Sequence, residues 1–97
     1  MKYLVITKRR HIPLPASTME PARHWIHEQI TASKLDCCYG MPGGGISIAN
    51  AKSHDELMRM LMSYPDARYV DYEIHPLCEI DIVFDEAEAL AARGCGA

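Results

Sequence analysis

The stretch SHDELMRMLMSYPDARYVDYEIHP, residues 53–76, decides the fold. Its first half is written for a helix. Ser53 and Glu56 stand at capping-box spacing, and Leu57, Met60, Leu61 and Tyr64 follow at i, i+3, i+4 and i+7, one side of a 3.6-residue period. Pro65-Asp66 ends that period. From Ala67 to His75 the period drops to two: Val70, Tyr72 and Ile74 share one face, and Tyr69, Asp71, Glu73 and His75 share the other. Pro76 has no amide hydrogen for a ladder, so the strand there lies at an edge or a bend.

Working outward, Ile46 to Ala51 reads as a strand before this helix, with Ile46 and Ile48 on one face and small Ser47 and Ala49 on the other. Pro42-Gly43-Gly44-Gly45 is a turn, and Leu35 to Met41 a strand leading into it. Near the start, Tyr3 to Lys8 alternates with both faces apolar, Leu4 and Ile6 against Tyr3 and Val5, so both faces are expected to be covered. His11-Ile12-Pro13-Leu14-Pro15 is an extended connector, because two prolines forbid a helix. A helix then starts near Ser17 or Thr18, with Ser17 and Glu20 at capping-box spacing and Pro21 in the first turn. Ala22, Ile26, Ile30 and Ser33 form its buried stripe, with Trp25 alongside, and it fades near Lys34.

Beyond Pro76, Glu79 to Phe84 alternates as a short strand. Asp85 and Glu88 open a short helix over Ala87, Leu90 and Ala91, with Gly94 as its C-terminal cap. The order is β α β β α β, then β α. The first six elements are the split βαβ arrangement of a ferredoxin-like α+β sandwich. Residues 1–78 make that domain, and residues 79–97 an extension that packs on it or on a partner subunit.

Composition adds to this. The chain has 97 residues, 48% of them hydrophobic and 24% charged, more apolar surface than a small monomer hides. Two helices cover one face of a four-stranded sheet. Tyr3, Val5, Ile46 and Ile48 are expected on the other face, which a second copy then covers, closing a dimeric α/β barrel; closure by the chain's own tail is the alternative. The net charge is −3, and Lys8-Arg9-Arg10 is the one basic run. A nucleic-acid partner is therefore not expected, and the run reads as a solubilising strand end. No apolar run approaches ~20 residues, so no membrane span is expected, and the first residues meet charge too early for a signal peptide. The expected location is the cytoplasm, with Cys37, Cys38, Cys78 and Cys95 as free thiols. They fit no zinc spacing, and neither a metal nor a cofactor is expected.

Four clusters carry candidate chemistry. His24 and Glu28 are four apart, with His27 between them, and the three can share a helix face. That is a solvated ion pair, an acid–base pair or, least specifically, part of a metal site. Cys37 and Tyr39 share one strand face and Cys38 takes the other; a thiol near either histidine is a nucleophile candidate, and core filler is the plainer reading. Glycines 43–45 make an anion nest or simply a hairpin, and the strand that follows them favours the hairpin. Tyr69, Asp71, Glu73 and His75 line a strand face that is either a second site or plain surface. Met58, Met60 and Met62 read as packing.

Ser53-His54-Asp55-Glu56-Leu57, then Pro65, then Tyr69-Val70-Asp71-Tyr72-Glu73-Ile74 and Pro76-Leu77 resemble the muconolactone isomerase family, in which a helix opened by Ser-x-x-x-Leu leads through a proline to a Tyr-x-Asp-x-Glu strand. The resemblance covers roughly residues 1–78 and is best over 46–78. It implies a ferredoxin-like fold of the dimeric α/β-barrel type, self-association, and a small acid or lactone held between helices and sheet. The glycine-rich turn and the tail from Glu79 depart from the pattern, and the family's catalytic positions do not map onto the first half.

The expectation is therefore a small-molecule isomerase that moves a proton within a lactone or carboxylated substrate. His24 or His27 is the base, Glu28 orients it, and Tyr39 or His75 stabilises developing charge. Cys37, Tyr69 and His75 contact the ligand. The alternative is a non-catalytic ligand-binding or interaction module on the same fold, with the histidines in solvent. An oxygenase-type activity is a third possibility, by analogy with related barrels.

Overall fold

The computed structural model describes residues 1–94. Seven elements follow in order: β1 (Lys2–Arg9), α1 (Met19–Thr31), β2 (Leu35–Met41), β3 (Gly44–Asn50), α2 (His54–Met62), β4 (Val70–Leu77) and α3 (Ile80–Ala92). The strands form one antiparallel sheet in the order β2-β3-β1-β4. This is the ferredoxin-like α+β sandwich. β4 is an edge strand, which is why Pro76 sits in it opposite Tyr3 without breaking the sheet. It also removes the cost of the polar row Asp71, Glu73 and His75, which would be high on a central strand.

Local chemistry explains the elements. Ser53 caps α2, its Oγ accepting from the Glu56 amide at 3.1 Å, while Glu56 Oε2 accepts from the Lys52 amide at 3.0 Å. The capping box is thus made, with the return bond reaching one residue further back than usual. The other capping box is not made. α1 is capped at Thr18 without a side-chain bond; the connector first tightens into a single 3-10 turn over Ala16–Thr18, and the Thr18 hydroxyl donates to the Pro15 carbonyl instead. β3 begins two residues before the expected Ile46. A Cβ on Gly44 would lie 1.8 Å from the Thr7 carbonyl oxygen, so only glycine lets β3 pair with β1 there. Gly43, at φ +80°, makes the turn.

The sheet faces are the reverse of the expected assignment at β1. Tyr3 and Val5 are buried under the helices, with Leu35, Ala49, Leu57, Met60 and Leu61. Register fixes this: Tyr3 and Val5 lie opposite Ala49 and Ser47, whose small side chains admit the helices. The uncovered face carries Leu4, Ile6, Ile46 and Ile48 instead. A bulge at Asp36, between Leu35 and Cys37, keeps Leu35 inward and turns Cys37 outward. Lys2 Nζ reaches both Asp36 and the Asn50 side chain, and Asn50 Nδ2 donates to the Ser33 carbonyl at 3.1 Å, so the bulge is tied to β1 and β3.

The tail is one helix, not a strand and a helix. Ile80, Val83, Phe84, Ala87, Leu90 and Ala91 fall on one stripe of α3, and the alternation of Ile80, Ile82 and Phe84 that reads as a strand is a subset of an apolar stretch too long for one. None of its residues is buried. Ile80, Ile82, Val83, Phe84 and Leu90 are each about half exposed or more. The molecule extends 58 Å along its long axis with a radius of gyration of 17.1 Å, against about 12.5 Å for a compact chain of this length. Among the described residues, no helix is long and apolar enough to cross a membrane. Cys37, Cys38 and Cys78 are free thiols; Cys95 lies outside the described residues.

Candidate functional site

α1 packs shallowly. Ala22 is its only buried residue; Trp25 and Ile26 are half-buried and Ile30 is exposed. Under it, against the helix-side face of the sheet, lies an open cleft of about 580 Å³, within the ordinary size of small-molecule sites. Its apolar wall is Leu14, Ile26, Ile30 and Val5, and its aromatic end is Trp25 against Tyr64, ring centroids 5.1 Å apart. The Trp25 indole N–H donates to Ser63 Oγ at 3.1 Å, which fixes the ring.

The helical period selects which α1 side chains reach the cleft. Arg23, Ile26, His27 and Ile30 lie at i, i+3, i+4 and i+7 and all line it. His24 and Glu28 fall on the neighbouring face, where they pair with each other in solvent. The structure therefore separates His27 from His24 and Glu28. Tyr39 and Cys37 stand on the uncovered sheet face, and Tyr39 meets the cleft only at its rim, 65% exposed. Cys38, its side chain turned to the helices, lines the cleft in place of Cys37. His75 bonds Glu73 at 3.1 Å on the uncovered face, away from the cleft. Tyr69 sits in a single 3-10 turn, where its carbonyl accepts from the Arg10 amide, also away from the cleft.

Three groups in the cleft, Arg9, Arg23 and Asp66, were not singled out by sequence. Arg9 lines it, whereas its neighbours Lys8 and Arg10 pair with Glu73 and Asp71 on the surface. Asp66 is 4% exposed, lines the cleft, and has a buried Oδ1 with no hydrogen-bond partner among the described residues. It occupies the N-cap of the turn Ala67–Tyr69, a place where aspartate ordinarily bonds a backbone amide, yet its side chain makes no cap bond. No sequence signal beyond Pro65-Asp66 marks it. An unmet buried acceptor costs about 1–3 kcal/mol and stands out in a native structure.

The deep wall stays protonated. Burial, then the nearby Tyr64 and Asp66, drives the Tyr72 phenol far above its usual range, and its hydroxyl donates to the Leu61 carbonyl at 2.8 Å. Burial, then Asp66 and Cys38, raises Tyr64. Burial, then Cys37, raises Cys38, so its thiol is neutral and a poor nucleophile. The cleft thus offers Arg9, Arg23 and His27 on its open side, with the buried Asp66 and neutral donors behind. No group of His, Cys, Asp and Glu among the described residues is arranged to hold a metal ion.

These features define a small α+β sandwich with a ligand-sized hollow beneath its first helix. Its particular form is the muconolactone isomerase fold. The chain is similar to the crystal structure of muconolactone isomerase, with a TM-score of 0.69 and 15% identity over 81% of this chain and 90% of that one. It is also similar to 5-chloro-2-hydroxyhydroquinone dehydrochlorinase from Burkholderia phenoliruptrix, in complex with 2,5-dihydroxybenzoquinone, with a TM-score of 0.57 and 18% identity over 81% and 95%. No family model and no curated protein matches the chain.

Proposed function

We propose that the protein is a cytoplasmic isomerase-like enzyme that moves a proton within a small carboxylated or lactone substrate held under α1. The observation that carries this reading is Asp66, a carboxylate with an unmet oxygen in a cleft that also holds Arg9 and Arg23. Arginine forks bind carboxylates and stabilise an enolate oxygen as it forms. In this reading Asp66 takes the proton from carbon and His27 returns or exchanges it. His24 and Glu28 then act only as a surface ion pair. A non-catalytic module for a small acid would use the same two arginines but has no use for an acid positioned to take a proton, which favours the enzyme.

Both named neighbours, an isomerase and a dehydrochlorinase, act on small molecules, which fits. The test is deuterium uptake from D2O into muconolactone, followed by proton NMR. Wild type should accelerate the exchange, and Asp66→Asn should lower the acceleration by about 100-fold or more. Exchange no faster than buffer, with this lactone and with ring-substituted analogues, would overturn the reading.

The same reading includes a second copy of the chain as partner. The uncovered sheet face and the α3 stripe are both apolar and both open in one molecule. The segment from Glu79 to Gly94 carries five acids against one arginine, and its apolar stripe, not its charge, is what a second copy would cover. Two copies that exchange their α3 helices satisfy both by one two-fold contact.

A further inference from the structure

Gly40 is a glycine that the backbone does not require. It lies inside β2, where a residue with no side chain weakens a strand. Its φ is not in the left-handed region, and a Cβ built on it meets nothing within 4 Å. Its neighbours differ. Gly43 needs its positive φ, Gly44 the close approach of Thr7, and a Cβ on Gly45 would press on the Tyr39 carbonyl oxygen at 2.8 Å. Gly40 pairs with Gly45 on the helix side of the sheet and lines the cleft. The empty space above it is therefore cleft volume.

Asp66, 4% exposed and with a buried Oδ1 that has no hydrogen-bond partner among the described residues, lines the same cleft. We infer that Gly40 is a specificity-determining residue: it leaves bare backbone along which the ring of a planar carboxylated ligand lies, its acid group toward Arg9 and Arg23. This rests on the cleft reading of the proposed function and adds the ligand's shape to it. A side chain at residue 40 occupies the place of the ring without disturbing the sheet.

Amide chemical-shift titration of the full chain with benzoate and with muconolactone tests this, alongside Gly40→Ala and Gly40→Val. Wild type should show shifts at residues 40, 43 and 45 that saturate. Gly40→Val should weaken binding at least tenfold and Gly40→Ala less, while both variants melt at or a few degrees above the wild-type temperature. Acetate, which has no ring, should bind wild type and Gly40→Val alike. Wild-type binding that Gly40→Val leaves intact overturns the role of Gly40 and spares the cleft. A Gly40→Ala protein that melts several degrees lower makes the glycine structural and also overturns it. Wild type that shows no shifts with either ring compound overturns this inference and the cleft reading together.

Discussion

Asp66 carries a local cost inside the cleft. An aspartate at an N-cap normally satisfies a backbone amide and contributes about 1 kcal/mol; here it makes no such bond and keeps a buried oxygen unmet. Stability and function then pull apart at this residue. Asp66→Ala is expected to raise stability by about 1 kcal/mol, or roughly 4–8 °C in Tm by calorimetry, in the protein that loses proton exchange. A fall in Tm would mean that the carboxylate has a structural partner. Sequence revealed part of this site. The sequence reading grouped His24, His27 and Glu28 on one face; the period of Ile26 and Ile30 takes His27 alone to the cleft. Asp66 was not legible, because nothing local distinguishes a capping aspartate from one turned away. Arg9 was hidden in a basic run whose other two members are surface partners of Asp71 and Glu73.

Elements were legible wherever a period ran long enough. α2 and the alternation of β4 appear as written, and the turn at Pro42-Gly43 is where the glycines put it. α3 was misread because Ile80, Ile82 and Phe84 satisfy period two while the longer stripe satisfies 3.6, and length decides for the helix. The β1 face was reversed because Leu4 and Ile6 are as apolar as Tyr3 and Val5; only cross-strand register to Ser47 and Ala49 separates them. Gly40 and Gly44, four positions apart in the chain, make an element-level contrast. Gly44→Ala should cost at least about 2 kcal/mol in denaturant titration, because its Cβ falls on the Thr7 carbonyl, whereas Gly40→Ala should cost nothing.

The lock at the β2 bulge has a pH signature. Asp36 is held below the usual carboxylate range by hydrogen bonds from Lys2 and from Asn50. Its folded pKa is depressed, so its contribution is present above the unfolded value, near 4, and is lost as pH falls through the lower folded value. Melting curves from pH 6 to pH 2 should therefore fall more steeply for wild type than for Lys2→Met, and the two should converge at the acid end. Parallel curves would show that the pair at this exposed strand end contributes nothing.

The whole molecule is longer than its own core explains. α3 leaves the end of β4 after two residues, Cys78 and Glu79, and projects its stripe into solvent. Light scattering should give at least twice the 10.9 kDa of one chain, and Phe84→Glu should return it to the single-chain mass, because a charge placed in an apolar contact goes unpaired. A wild-type protein that stays at one chain's mass at high concentration would overturn the exchange of helices.

A helix whose counterpart sits on another molecule makes abundance part of the folding equilibrium. Each tenfold dilution then removes the same increment of free energy, about 1.4 kcal/mol per pair of chains. For the proposed helix-exchanged pair, heat resistance becomes a property of concentration, and a dilute sample softens before a concentrated one.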